Sequence, residues 1–417
     1  MTTYRADWVL PITGEPLRGA AVAVADGRVT DVLRTPPADA VDLGHVAVLP
    51  GLVNAHTHLE LSYLDRRVPP GAPFVEWIRA LMAERRQHPD PAAPEILDAA
   101  RRAIRDAHAS GTVLFGDISN TLVTVPLVEE AGVAARVFYE LLGFSVADAG
   151  ERVLQARLRL AALGIENPDV RVSLAPHAPY SVAPALFGAL RADLDAARHA
   201  VSSVHLGESA DEVEFLRHGG GAFRELLESL GVWNDSWRPP GVSPVDYLSD
   251  LGFLDARVLV VHGVQFDGDD LTRLAGIGAT LVSCPRSNLH VGVGSPPLEA
   301  FYAMDVDVAL GTDSLASVAD LNMFAELAEA RRVAPRVPAR RLLESATLVG
   351  ARALGYEDDF GAIERGKRAA LLAVRVPAGV TDVEEYLLSG IEPAAVTWLA
   401  AGTAAPPPAS AAPGSQE

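Results

Sequence analysis

Leu49-Pro50-Gly51-Leu52-Val53-Asn54-Ala55-His56-Thr57-His58 is an apolar run that ends in two histidines one residue apart. In an extended chain, positions i and i+2 face the same way, so both imidazoles can approach one ion. Neutral imidazole is a common ligand of zinc and other divalent metals. A solitary His-x-His pair can equally well be satisfied by local hydrogen bonds. The rest of the chain has to decide.

From about residue 47 to 350, β-rich apolar runs alternate with longer amphipathic stretches, the pattern of repeated βα units around a parallel sheet. The candidate strands are 47–56, 111–117, 134–142, 170–176, 201–206, 257–263, 278–284 and 306–312. Eight is the number that closes a (β/α)8 TIM barrel. Residues 1–49 read as short strands punctuated by Gly27 and Pro36-Pro37, and short strands return after 350, as in Ala369–Arg375. The expected fold is therefore an α/β protein: a catalytic barrel over 50–349, with a small β-sandwich built from 1–49 and 350–403. Residues 404–417 are rich in proline, alanine and serine and read as a disordered tail.

The histidine pair does not stand alone. His205 ends the run from Val201, His262 ends the run from Val258, and Asp313 follows Val308-Ala-Leu-Gly-Thr312. Four strand ends each deliver a metal-ligating or proton-transferring group, and in a closed parallel barrel those ends meet on one face. His88, His108, His199 and His218, by contrast, fall in helices and loops.

Composition narrows the function. The 417 residues carry a formal net charge of −19, which argues against a nucleic-acid binder. No apolar window is long enough to span a membrane, and the N-terminus lacks the features of a signal peptide, so a cytoplasmic protein is expected. Cys284 is the single cysteine, which excludes disulfides within the chain and an all-cysteine zinc site. It reads as a packed small residue rather than a nucleophile.

Taken together, Pro50–His58, His205-Leu-Gly-Glu208, Val261-His262-Gly263 and Gly311-Thr-Asp313-Ser314 resemble the amidohydrolase superfamily, in its cytosine-deaminase-like branch. The resemblance runs over nearly the whole chain. It departs at Glu364–Ala370, where the family usually has Asp and this chain has Ala370. It implies one divalent metal held by His56, His58, His205 and Asp313, with zinc as the first expectation and ferrous iron suited to the same donors. Relatives with two metals often bridge them through a carboxylated lysine on a barrel strand. Lys367 is the only lysine and lies beyond the barrel, so a single metal is expected. The resemblance also makes Glu208 the group that protonates a ring nitrogen, while His262 and Asp313 orient and deprotonate water. Such chemistry is needed because ammonia leaves well only once protonated. The competing account of Glu208 is a solvated carboxylate at a helix start.

Substrate is read from the loops. His177, in Leu174–Val182, and Arg286 and Asn288, in Ser283–Gly294, lie just past strands four and seven. In related adenosine-type deaminases, a histidine at the place of His177 contacts the substrate's ring or sugar. Arg286 could clamp a substrate carboxylate, or pair with a surface acid. Trp77 could stack on substrate, although Phe74, Trp77 and Leu81 also form an ordinary helix stripe. Glu140 is a candidate for the sugar. These loops resemble those of aminodeoxyfutalosine deaminases, which remove the 6-amino group of a benzoate-bearing nucleoside on the futalosine route to menaquinone. Alternatives are a methylthioadenosine/S-adenosylhomocysteine deaminase, a triazine-type chlorohydrolase and, last, a silent binding protein. A homodimer acting on a small molecule is implied by the resemblance alone.

Overall fold

The computed structural model describes residues 1–197 and 199–399. The expected tail over 404–417, and the end of the 350–403 segment, lie outside the described residues.

The chain opens with seven strands: β1 (Thr2–Arg5), β2 (Trp8–Val9), β3 (Leu17–Arg18), β4 (Ala21–Ala25), β5 (Arg28–Leu33), β6 (Val41–Asp42) and β7 (Val46–Pro50). Eight more follow: β8 (Leu52–Thr57), β9 (Thr112–Ser119), β10 (Ala134–Leu141), β11 (Val170–Pro176), β12 (Ser202–Leu206), β13 (Val258–His262), β14 (Thr280–Ser283) and β15 (Val308–Leu310). Two late strands, β16 (Leu371–Arg375) and β17 (Val396–Trp398), complete the set.

Strands β8 to β15 form two parallel four-stranded sheets, ordered β11-β10-β9-β8 and β12-β13-β14-β15. Both junctions between these sheets are bonded. The His205 N–H donates to His177 O at 2.9 Å, and the Asp313 N–H donates to His56 O at 3.0 Å beside a parallel Thr57–Asp313 bridge. β8, β9, β10, β12 and β13 are buried along their whole length, which is why they read as continuous apolar runs rather than alternating ones. Between strands the helices are amphipathic. In Pro94–Ala109, for example, Ile96, Ala99, Ala100, Ala103, Ile104 and Ala107 are buried at helical spacing, and Pro94 occupies the first turn, where a missing N–H costs nothing.

One expected element is divided. The run 47–56 breaks at Gly51 into β7 and β8. β7 joins a separate five-stranded sheet, ordered β17-β16-β7-β2-β3, in which Pro50 to Val46 run antiparallel to Leu371–Arg375. A Cβ on Gly51 would lie 2.7 Å from Val113 Cβ, so the chain can turn between the sheets only where it carries no side chain. The other flanking sheet is β5-β4-β1-β6. Val9, Val22, Val24, Val29, Val48, Leu371 and Ala373 from the two flanking sheets pack into one apolar cluster. The expected boundary at 349/350 falls inside the helix Leu348–Ala353, where Gly350 approaches Val53 of β8 so closely that a Cβ would lie 2.8 Å from Val53 Cγ1. Among the described residues no helix is long and apolar enough to cross a membrane.

Candidate metal and proton-transfer site

His56 lies at the end of β8 and His58 one residue past it. The strand is not regular there: its pairing with β9 shifts between Asn54 and Thr57. Gly116 on β9 admits that irregularity, since a Cβ would sit 2.3 Å from Ala55 O. Gly311 admits β15 on the other side, where a Cβ would lie 2.8 Å from the His56 backbone. Asn54 ties the two strand ends together, donating from Nδ2 to Thr312 Oγ1 at 2.8 Å and accepting from the Thr312 N–H at 3.1 Å. After His58, the Asp117 carboxylate accepts the Leu59 N–H at 2.8 Å and fixes the exit of the chain.

These strand ends bring His56, His58 and His205 together, with one nitrogen from each within 4.8 Å of the others. Asp313 Oδ1 lies 3.5 Å from His58 Nε2 and 3.9 Å from His56 Nε2. His56 is wholly buried, and neither ring nitrogen has a hydrogen-bond partner. Burying such a polar group without a partner is costly, so the arrangement makes sense around a cation. Burial holds all three imidazoles in the neutral, ligating form: His58 is pushed down to about 3, His205 to about 4, and His56 well below its usual value. Three neutral nitrogens and one carboxylate fit the four positions of a zinc-type site. A second group, Glu140, His177 and His205, is also compact. In it, Glu140 Oε2 accepts from Asn120 Nδ2 at 2.7 Å, and His177 Nδ1 lies 2.6 Å from Ser181 Oγ.

The proton-transfer side is built differently. Asp313 Oδ2 accepts from Ser287 Oγ at 2.6 Å, and His262 Nδ1 accepts from Asn288 Nδ2 at 3.0 Å. His262 and Asp313 both have positive φ, at 81° and 62°, a strained conformation for residues with side chains and one that concentrates at functional sites. Glu208 Oε1 lies 3.6 Å from His262 Nε2. It is buried rather than solvated at a helix start, because the Glu212 carboxylate accepts the N–H groups of Gly207 and Glu208 and folds the turn inward. Burial, then the charges of Asp313 and Glu212, pushes the Glu208 carboxyl well above its ordinary value.

The substrate candidates separate. Asn288 acts on His262, and His177 packs beside His205 with ring centroids 5.0 Å apart. Glu140 Oε1 lies 3.5 Å from His205 Nδ1. Trp77 is buried on α1 (Phe74–Gln87), parallel to Phe74 with ring centroids 6.5 Å apart, and its indole N–H has no partner. Arg286 is not brought into this group. Its segment is not an extended loop but the helix Pro285–His290, whose turn sends successive side chains in different directions. Ser287 and Asn288 face the site, while Arg286 pairs with Asp320 Oδ1 at 2.9 Å. Asn54, Ser287, Glu212 and Asn120 also shape the site and do not stand out in the sequence. Asn54 and Ser287 sit within the strand-end motifs, so position alone is the signal that could have found them.

A family model for the amidohydrolase family matches residues 47–396. An aminodeoxyfutalosine deaminase of Deinococcus radiodurans is 33% identical over 367 residues, covering 84% of this chain and 82% of that protein. A 5-methylthioadenosine/S-adenosylhomocysteine deaminase of Teredinibacter turnerae is 28% identical, covering 88% and 83%. Among solved structures, a zinc-bound adenosine deaminase from Xanthomonas campestris superposes with a TM-score of 0.81 at 28% identity, covering 96% and 92%. Helicobacter pylori aminofutalosine deaminase, in complex with methylthio-coformycin, gives 0.81 at 26%, covering 93% and 95%. The match over most of the chain, on top of the histidine and carboxylate arrangement, shows that the chain belongs to the amidohydrolase family.

Proposed function

We propose that the chain is a hydrolytic deaminase of an adenosine-like nucleoside, converting 6-amino-6-deoxyfutalosine and water to futalosine and ammonia in menaquinone biosynthesis. The observation that carries the deaminase reading is the buried Glu208 carboxyl, 3.6 Å from His262 and beside the three-histidine cluster. His56, His58, His205 and Asp313 would hold one divalent ion, zinc before ferrous iron. When bound, such an ion acidifies water and so supplies a nucleophile at neutral pH.

The residues divide the remaining work. His262 and Asp313 orient the attacking water and take its proton. Glu208 gives its proton to the ring nitrogen next to C6, which takes up the C=N π electrons as the C–O bond forms. The proton taken from water then passes to the amino group, Glu208 takes back the remaining hydroxyl proton as the C–O bond becomes a carbonyl, the C–N bond breaks, and neutral ammonia departs. His177, Glu140, Asn288 and Trp77 line or support the nucleoside side.

This reading also makes the fold a (β/α)8 barrel flanked by a small β-sandwich, which the shared apolar cluster of the two flanking sheets supports. It makes the protein a cytoplasmic homodimer whose partner is a small molecule, with neither nucleic acid nor membrane. The 28%-identical relative favours a second substrate, methylthioadenosine or S-adenosylhomocysteine, with the same machinery. A triazine-type chlorohydrolase has less need of Glu208, since chloride leaves without a proton. Ultraviolet assay of the metal-loaded enzyme against 6-aminopurine nucleosides decides. Fast deamination of aminodeoxyfutalosine is expected. Fast turnover of methylthioadenosine with none of aminodeoxyfutalosine would overturn the substrate assignment.

A further inference from the structure

Several arginines near acids in this chain are well paired. Arg286, the residue the sequence suggested for a carboxylate, has Asp320 at 2.9 Å and Glu326 at 3.8 Å. Arg157 and Arg368 each make two bonds to a single carboxylate. Arg85, near the C-terminal end of α1, is different. Its nearest acceptor is a neutral one, Asn120 Oδ1 at 3.2 Å, and the nearest carboxylate oxygen, Glu60 Oε1, is 3.4 Å away. Glu60 does not depend on Arg85, because it accepts four closer bonds. They come from Ser119 Oγ at 2.6 Å, Thr121 Oγ1 at 2.5 Å and the N–H groups of Asn120 and Thr121 at 3.0 Å. Most of the Arg85 fork is therefore unspent, and about a third of its side chain is exposed.

Its position leads to the site. Asn120 bonds Glu140, and Glu140 lies against the ligand His205, so Arg85 stands two side chains away from that histidine. Beside Arg85 opens a cavity of about 270 Å³, with Leu61, Tyr63, Pro91 and Ile96 as apolar walls and Arg85, Glu60 and His88 as its polar lining. A flat apolar group matches those walls, and an anion on it would meet the part of the Arg85 fork that Glu60 leaves free.

We propose that Arg85 is the residue that recognises the substrate's carboxylate, with the adjoining apolar cavity taking the aryl group that bears it. This deepens the deaminase reading and rests on it for the identity of the substrate. A bidentate arginine–carboxylate contact is charge-assisted on both sides, so its loss should cost about 10- to 100-fold in affinity.

The test measures binding and turnover separately. Calorimetric affinities of metal-loaded wild type, R85Q and R85K are taken for futalosine, which carries the carboxylate, and inosine, which does not. The wild-type preference for futalosine should fall about 10- to 100-fold in R85Q and recover in part in R85K. In turnover of aminodeoxyfutalosine, the loss should appear mainly in KM. Equal weakening toward both nucleosides would mean that Arg85 only holds Asn120 in place, and would overturn the proposal. So would a wild type without preference for futalosine. A wild type that binds futalosine selectively but releases no ammonia would defeat the deaminase reading and leave Arg85 its role.

Discussion

His56 at the end of β8 and Glu326 in the helix Met323–Val333 are both wholly buried, and both carry polar atoms without a hydrogen-bond partner. Their surroundings differ. Around His56 converge two more imidazoles and a carboxylate from other strands, all able to donate a lone pair to the same point. Around Glu326 the nearby charge is Arg286, whose backbone N–H donates to Glu326 Oε1 at 3.0 Å. Burial pushes the Glu326 carboxyl up to about 8, so it resolves its burial by keeping a proton. An unpartnered buried atom therefore marks a metal only where further donors converge on it. At Glu326 it marks a neutral carboxylic acid.

Breaking the first region should have the larger effect. If His56 holds the proposed cation, His56→Ala removes a ligand, so metal content measured by elemental analysis should fall to background and deamination with it. The apo variant should melt within a few degrees of chelator-treated wild type, because the side chain makes no hydrogen bond whose loss could matter. An apo variant far less stable than apo wild type would show that His56 is a structural residue. Glu208→Gln comes next. It keeps the shape and the metal but cannot deliver a proton, so kcat should fall about 10²- to 10⁴-fold at unchanged metal content. Loss of metal in this variant would place Glu208 among the ligands instead.

The two regions are unequally legible in the sequence. His56, His58, His205, His262 and Asp313 each end an apolar run, and the strand period together with barrel geometry carries such ends to one face. Seven of the eight expected strands appear as continuous elements, and the eighth divides at Gly51 for a local reason. The closeness of Val113, which leaves no room there for a side chain, has no trace in the hydrophobic pattern. Arg286 lies elsewhere than expected because Cys284-Pro-Arg-Ser-Asn288 reads as loop but folds as helix, and one helical turn decides which of three adjacent polar residues faces the site. Glu326 and Arg85 lie on amphipathic helices, where a charged residue reads as solvated until its neighbours are known.

The smallest effect on activity, and the sharpest check on the comparison, should come from Glu326→Gln. In the unfolded chain this carboxyl ionises near its ordinary value of 4.5, whereas in the folded protein it keeps its proton to about 8. Below pH 4.5 both states are protonated and the group contributes its full share to stability. As pH rises from 4.5 to 8 only the unfolded state releases the proton, so this contribution is progressively lost. Glutamine stays neutral throughout and can still accept the Arg286 N–H. The stability of the variant, from denaturant titration, should match wild type at about pH 5 and exceed it at about pH 8.5, by an amount on the order of a few kcal/mol, since each tenfold difference in proton affinity between the folded and unfolded states is worth ~1.4 kcal/mol. Activity per bound metal should change little, because Glu326 contacts none of the histidines. A variant less stable than wild type at the higher pH would mean that Glu326 is ionised and paired with Arg286, and the contrast with His56 would then rest on charge pairing rather than on a retained proton.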